Sequence, residues 1–145
     1  MNWKREALER LENYRLVRQS VHSLQTELHR LTLAARTPGA NCIDKICVRG
    51  SFGKAEDRLL DNITRRQAVE EALEQTELWL QATEQAVACL DLRERQLLEG
   101  LYLSADRGNA SALAEQMGME RSTFYRKRDE ALRQFSIALF GKSDL

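Results

Sequence analysis

The chain has 145 residues with a single proline, 43% hydrophobic and 30% charged residues, and a formal net charge of zero. This length fits one compact domain, or one small domain with an elongated appendage. The composition favours an almost entirely helical protein. It offers no apolar run long enough for a signal peptide or a membrane span, so we expect a cytoplasmic protein without a membrane partner.

The first predicted element is a long helix from about Trp3 to Ala35. Its apolar residues are spaced alternately by three and four, which is a heptad pattern, at Tyr14, Val17, Val21, Leu24, Leu28, Leu31 and Ala35. Ala7, Leu8 and Leu11 continue the pattern on a neighbouring face. Pro38 and Gly39 in "RTPGANC" end the helix, because proline disfavours helix at the residue before it.

A loop is predicted over residues 38–53, partly extended through "ICV". A second long helix is predicted to begin between about Lys54 and Asp57 and to end at Leu90. This helix carries a second stripe at Leu59, Ile63, Val69, Leu73, Leu80, Val87 and Leu90, with Leu60 and Trp79 beside it. Two long helices joined by such a loop most simply fold back as an antiparallel pair. We therefore predict an all-α fold in which residues 1–90 form a coiled-coil-like helical hairpin.

The next helix is predicted to open at Asp91, since Asp91 and Glu94 have the spacing of a capping box. It buries Leu97, Leu98, Leu101 and Tyr102, although Gly100 inside it costs about 1 kcal/mol against alanine. A domain boundary at residue 90 follows, with residues 91–145 as a second domain.

In this second domain a glycine separates two short amphipathic runs in "LAEQMGMERSTFYRKRDEALRQF". Asn109 or Ser111 is the predicted cap of the first helix, whose inner face holds Ala110, Leu113 and Met117. Gly118 suits the positive φ of a tight turn between helices. The pattern fits a helix-turn-helix, and equally a simple bend in a helical bundle.

The second helix of this motif is expected to be apolar on one face and basic on the other. Its inner face holds Phe124, Arg128, Ala131, Leu132 and Phe135, and its outer face Ser122, Thr123, Arg126, Asp129 and Arg133. Five basic residues against two acidic ones between Arg121 and Arg133 give a local charge of +3. Guanidinium and hydroxyl groups on such a helix suit contacts to bases and phosphates.

The stretches "LDLRERQLLEGLYL" and "ALAEQMGMERSTFYRKRDEALRQF" resemble the C-terminal helix-turn-helix, region 4, of primary sigma factors. The resemblance covers about 45 residues and is carried by Leu90, Arg93, Glu94, Leu98, Tyr102, Met117, Arg121, Phe124, Ala131, Leu132, Arg133 and Phe135. It implies double-stranded DNA as a partner and RNA polymerase as a candidate partner. Ser122 and Arg126 stand where sigma factors commonly carry glutamate and glutamine, so the promoter preference of sigma factors is not transferred.

The whole chain is similar to a narrower group, the phage and prophage late-gene regulators of the ArpU and RinA-like type. The likeness rests on "VRGSFGKAEDRLLDNI", "RSTFYRKRDEALRQF" and "IALFG". It implies a DNA-binding transcriptional regulator in the cytoplasm of a bacterial host cell, and we also expect a homodimer.

The sigma-factor resemblance implies which residues contact DNA. Arg121, Ser122 and Arg126 are the candidates for base edges, and Thr123 and Tyr125 lie nearer the backbone. Lys127 either extends its stem along the core and reaches a phosphate with its ammonium group, or is an ordinary solvated lysine. Arg133 completes the basic face. Arg126 is the strongest candidate, since a guanidinium can bind guanine O6 and N7 together.

The sequence predicts no enzyme, no cofactor and no metal site. Cys42, Cys47 and Cys89 lack the usual spacing of zinc ligands and are expected to be reduced, and His22 and His29 have no ligand cluster beside them. Glu70, Glu71, Glu74 and Glu77 form an acidic helical face, which is solvated or meets a basic partner. Two alternatives remain open: a DNA-recognition protein like the small subunit of phage terminases, and a helical protein-interaction module without DNA binding.

Overall fold

The structure is a computed structural model that describes residues 2–36, 51–104 and 110–141. In these ranges every regular element is helical and no strand occurs, which confirms the predicted all-α fold. The elements are α1 (Trp3–Arg36), α2 (Ser51–Ala88), α3 (Leu92–Leu98), a π-helical segment (Glu99–Leu103), α4 (Ala110–Gln116) and α5 (Arg121–Phe140). None of the helices in the described ranges is both long enough and apolar enough to cross a membrane.

The two long helices lie close to their predicted bounds. α1 opens where the backbone N–H of Arg5 donates to the Asn2 side chain at 3.3 Å, which satisfies one of the free N–H groups of the first turn. α2 begins at Ser51, so the last three residues of the predicted loop are helical. The rest of that loop, with its predicted extended part, lies outside the described residues.

Contacts divide the chain into two compact units. Unit 2, Gln19–Glu77, contains the later part of α1 and the earlier part of α2. The Asn62 side chain donates to the Leu31 carbonyl oxygen at 3.0 Å, and the charge of Arg65 acts on Glu27. From Glu27 to Leu31 along α1, the partner on α2 changes from Arg65 back to Asn62. The helices of this unit therefore run antiparallel, as predicted.

The predicted apolar stripe of α2 is not buried at its start. Ile63, Val69 and Leu73 are half-buried, but Leu59 and Leu60 are 51% and 61% exposed. The register set by Asn62 and Leu31 brings Leu59 level with the alanines at the end of α1. Alanine side chains cover little apolar surface, so the predicted stripe is half-buried only from Ile63 onward.

Unit 1 joins Met1–Arg18 to Leu78–Leu145 around one apolar core. Two core residues come from α1, three from the end of α2 and its following turn, and the rest from the later helices: Ala7, Leu11, Ala86, Val87, Leu90, Leu97, Leu98, Ala114, Phe124, Ala131, Leu132 and Phe135. The contact-defined division therefore runs through α1 and α2, whereas the sequence predicts a boundary at residue 90. Independent folding of residues 1–90 stays a prediction.

Polar contacts join α1 to α2 inside unit 1. The Arg10 side chain donates to the Thr83 hydroxyl at 2.8 Å and to the Trp79 carbonyl oxygen at 3.1 Å. Its guanidinium group also lies 4.2 Å from the centre of the Trp79 ring. Thr83 is fully buried, and its hydroxyl is satisfied because it donates to the Trp79 carbonyl and accepts from Arg10. Trp79 therefore packs against α1.

The connection from α2 to α3 is closed by charged side chains. Arg95 donates to the Ala88 carbonyl oxygen at 2.7 Å, which satisfies an acceptor at the end of α2. Half of the predicted capping box is present, since the Glu94 carboxylate accepts from the Asp91 backbone while the Asp91 side chain makes no cap hydrogen bond.

Gly100 lies against α4, a contact that the sequence does not show. A Cβ atom at this position would lie 2.9 Å from Cδ2 of Leu113 on α4, closer than carbon atoms pack. The tip of the Leu113 side chain thus fills the space beside this glycine in the π-helical segment.

Candidate nucleic-acid interface

The turn between α4 and α5 is a Schellman motif. The Gly118 backbone N–H donates to the Glu115 carbonyl at 3.1 Å, and the Met119 N–H donates to the Ala114 carbonyl at 2.9 Å. These are the two hydrogen bonds that define the motif. Gly118 has φ +65°, which confirms the positive φ predicted for it.

The two helices pack through small and apolar residues. Ala114 is 5% exposed and belongs to the same core as Phe124, Ala131, Leu132 and Phe135 of α5. The predicted inner residues of α4, which are Ala110, Leu113 and Met117, are half-buried against this core. Ser111 lies within α4 and is not its cap, because the helix begins one residue earlier. The other predicted cap, Asn109, lies outside the described residues.

Five of the seven predicted DNA-contacting residues are exposed on α5: Arg121, Ser122, Arg126, Lys127 and Arg133. Ser122, Arg126 and Arg133 lie four and seven residues apart, so they share one face of the helix. Thr123 and Tyr125 are half-buried. Arg121 is the first residue of the helix.

The two carboxylates of α5 are both paired with cations. Asp129 Oδ1 lies 3.1 Å from Lys4 Nζ and 3.2 Å from Arg128 Nη2. Glu130 lies 3.2 Å from Lys127 Nζ, so the lysine is on the surface with its charge matched.

Arg121, Arg126 and Arg133 differ from the other cations of α5. Within the described ranges no carboxylate pairs with any of these three. The exposed surface of α5 therefore presents three guanidinium groups whose charge is not matched by a described acidic neighbour. Guanidinium groups in this state are available for phosphate oxygens and guanine edges.

The Tyr125 ring contacts both the buried core and two arginines of α5. Its ring meets the buried Phe124 ring edge to face, with centres 5.8 Å apart and planes at 78°. The guanidinium carbon of Arg128 lies 5.0 Å from the Tyr125 ring centre, and that of Arg121 lies 5.9 Å away. Both distances are within the range of cation–π contacts, and that of Arg121 is at its outer limit.

Arg128 occupies the inner face, as predicted, and is tied to the core by aromatic and charged neighbours. Besides Tyr125 and Asp129 it acts on Tyr102. Burial raises the pKa of the Tyr102 hydroxyl, and the nearby Arg128 opposes part of that rise. Arg128 therefore packs among Tyr125, Asp129 and Tyr102 and is not part of the outer surface of α5.

Lys4 is the residue at this site that sequence analysis missed. It lies in the first turn of α1, yet its ammonium group binds Asp129 on α5. Nothing near Lys4 in the sequence indicates this contact, because it depends on how α1 packs in unit 1. In the sequence, only the apolar residues Ala7 and Leu11, one to two turns after Lys4, indicate that the start of α1 packs against other helices.

Other predicted features have simple surroundings. His22 and His29 are exposed, as are the four glutamates of the acidic α2 face. Cys89 is an exposed free thiol, and Cys42 and Cys47 lie outside the described residues. In the part of the chain that the structure describes, no group of three or more His, Cys, Asp or Glu side chains is arranged to hold a metal ion.

Comparison of the chain with family models, with curated proteins and with solved structures gives no match. The resemblance to sigma factors and to regulators of the ArpU and RinA-like type therefore remains an expectation from the sequence.

Proposed function

We propose that the chain is a sequence-specific, double-stranded-DNA-binding transcriptional regulator of the phage or prophage type, and not an enzyme. α4, the turn at Gly118 and α5 form its helix-turn-helix. The observation that carries the proposal is the set of three exposed arginines on α5, Arg121, Arg126 and Arg133, whose charges no described carboxylate matches. α5 is the recognition helix in this proposal.

Base recognition is assigned to the outer face of α5 near its start. Arg126 lies one turn after Ser122 on the same face, and both are exposed. A guanidinium there can donate two parallel hydrogen bonds to guanine, which discriminates against other bases by about 1–3 kcal/mol. Ser122 supplies a hydroxyl that can donate or accept.

Phosphate contacts are assigned to residues around this face. Arg133 lies on the same face further along the helix, and the half-buried Thr123 and Tyr125 flank it. Lys127 is paired with Glu130 three residues later. Exposed pairs of this kind contribute only about 0.3–0.5 kcal/mol, so Lys127 can exchange its carboxylate for a phosphate at little cost.

Two features of the proposal concern partners. A single helix-turn-helix contacts about half of a palindromic site, so a homodimer gives the second half-site contact. RNA polymerase is proposed as the partner through which a bound regulator changes transcription. Both follow from the resemblance and from the proposed DNA binding.

The first experiment is in vitro selection of DNA fragments with the full chain, followed by titration of selected and random duplexes. We expect Arg126→Ala to weaken binding to the selected duplex by about 5- to 150-fold and to weaken random-duplex binding much less. The matched control is Arg58→Ala, an exposed arginine of α2 in unit 2, which should leave both affinities unchanged. An unchanged ratio of selected to random affinity in Arg126→Ala contradicts the base-contacting assignment.

Lys127→Ala tests the phosphate assignment in the same titrations. If the lysine contacts only phosphate, its loss weakens all sequences alike and makes the slope of log affinity against log salt shallower by about one. Absence of salt-dependent binding of the unmodified chain to any duplex would favour the protein-interaction alternative. Sedimentation of the DNA-bound chain as a closed ring would favour the terminase-like alternative.

A further inference from the structure

A carboxylate lies in the middle of the proposed DNA-contacting face. Asp129 comes three residues after Arg126 and four before Arg133, so it shares the exposed side of α5 with both. Aspartate and arginine at these spacings form ion pairs on a helix surface. An unrestrained Asp129 would therefore compete with DNA for these arginines, and its charge would repel phosphate.

The structure shows Asp129 engaged elsewhere. One of its oxygens, Oδ1, is bound both by Lys4 Nζ at 3.1 Å and by Arg128 Nη2 at 3.2 Å. Lys4 is held in place because the following turns of α1 bury Ala7 and Leu11 in the core of unit 1. The carboxylate is thus drawn toward α1 and Arg128.

The geometry points to Lys4 as a positioning residue for DNA binding. From the first turn of α1 it neutralises Asp129 and holds it away from Arg126 and Arg133, so that both arginines stay available to DNA. This inference rests on the proposed DNA-binding function. It adds that the affinity of α5 for DNA depends on a residue at the opposite end of the chain.

The test is a double-mutant cycle, measured as duplex affinity of the full chain on the selected DNA. Lys4→Ala should weaken binding by about two- to fivefold, the scale of one exposed ion pair. In an Asp129→Asn background the same substitution should have no effect, because no carboxylate remains to be released. Lys4→Arg should bind as the unmodified chain does, and Arg5→Ala, an exposed neighbour, is the matched control.

A second measurement separates this role from general loss of structure. Guanidinium NMR signals of Arg126 and Arg133, recorded without DNA, should shift in Lys4→Ala and return to their original positions in the double variant. Asp129→Asn alone should bind DNA at least as tightly as the unmodified chain. A weaker Asp129→Asn complex overturns the inference, even if Lys4→Ala does not fold.

Two further outcomes also overturn it. Equal loss in both backgrounds, with a shallower salt dependence, means that Lys4 itself contacts phosphate. An unchanged affinity in Lys4→Ala means that Asp129 does not compete. In both cases the unmodified chain still binds duplex DNA, whereas failure of the proposed function appears as absence of any salt-dependent binding by that chain.

Discussion

The core of unit 1 joins the start of α1 to the proposed DNA-binding helices, and Leu11→Ala tests this directly. Leu11 is fully buried and shares its core with Phe124 and Phe135 of α5. Removing a buried leucine side chain to alanine costs about 2–5 kcal/mol. Against a total stability of about 5–15 kcal/mol, that lowers the melting temperature by about 4–20 °C for a chain of this size.

Leu16→Ala is the matched control, because it makes the same chemical change on the same helix. Leu16 is 72% exposed, so its replacement should change the free energy of unfolding by no more than about 0.5 kcal/mol. Urea unfolding followed by circular dichroism measures both variants, and duplex titration at a temperature where both are folded measures DNA binding. Equal stability losses, or an unchanged unfolding midpoint in Leu11→Ala, would refute the assignment of α1 to this core.

The same reasoning bears on the boundary predicted at residue 90. A fragment of residues 91–145 lacks the five core residues contributed by α1 and by the end of α2, namely Ala7, Leu11, Ala86, Val87 and Leu90. Loss of so much buried apolar area removes stability that a domain this small cannot spare. The contacts therefore favour residues 1–18 and 78–90 as part of the minimal folding unit that contains α4 and α5.

Two more predictions concern the turn and the ion pair of α5. Gly118→Ala should destabilise the chain by about 1–2 kcal/mol in thermal unfolding because of its positive φ, and Gly118→Asn by less; nothing lies within 4 Å of the added Cβ, so equal losses would point to another cause. Partial burial alone would raise the pKa of Asp129, but the hydrogen bonds from Lys4 and Arg128 outweigh it and hold that pKa below its ordinary value. The pair therefore stabilises the fold above about pH 4 and the contribution is lost as pH falls through the lowered pKa; carboxyl NMR titration should show a higher Asp129 pKa in Lys4→Ala, and an unchanged value would count against the ion pair.

The features predicted well from the sequence are those that neighbouring residues determine. Heptad spacing located α1 to within one residue at its end, because a helix buries residues three and four apart on one face. Gly118 was predicted at a positive φ because a turn between two amphipathic runs needs a residue without a Cβ. The same helical periodicity predicts that Ser122, Arg126 and Arg133 lie on the exposed face of α5, as they do.

The features that the sequence did not predict depend on residues far apart in the chain. Gly100 has a low helix propensity, and its contact with the Leu113 side chain on α4 is seen only in the structure. The Lys4–Asp129 pair and the contact-defined units both depend on where α1 packs. Heptad spacing specifies which face of α1 is buried, but it does not specify which helices cover each turn of it.

The distribution of charge connects the fold to the proposed function. Because the chain as a whole is neutral, long-range attraction to DNA is weaker than for a basic protein. Affinity must then come from charges that are close to the duplex and not already matched. α5 meets this condition because its two acids are paired with Lys4, Arg128 and Lys127, so that its exposed arginines are available for the proposed contacts with DNA. In the proposed function, the guanidinium groups that contact base edges discriminate between sites, whereas those that contact phosphate position the helix and carry no sequence information.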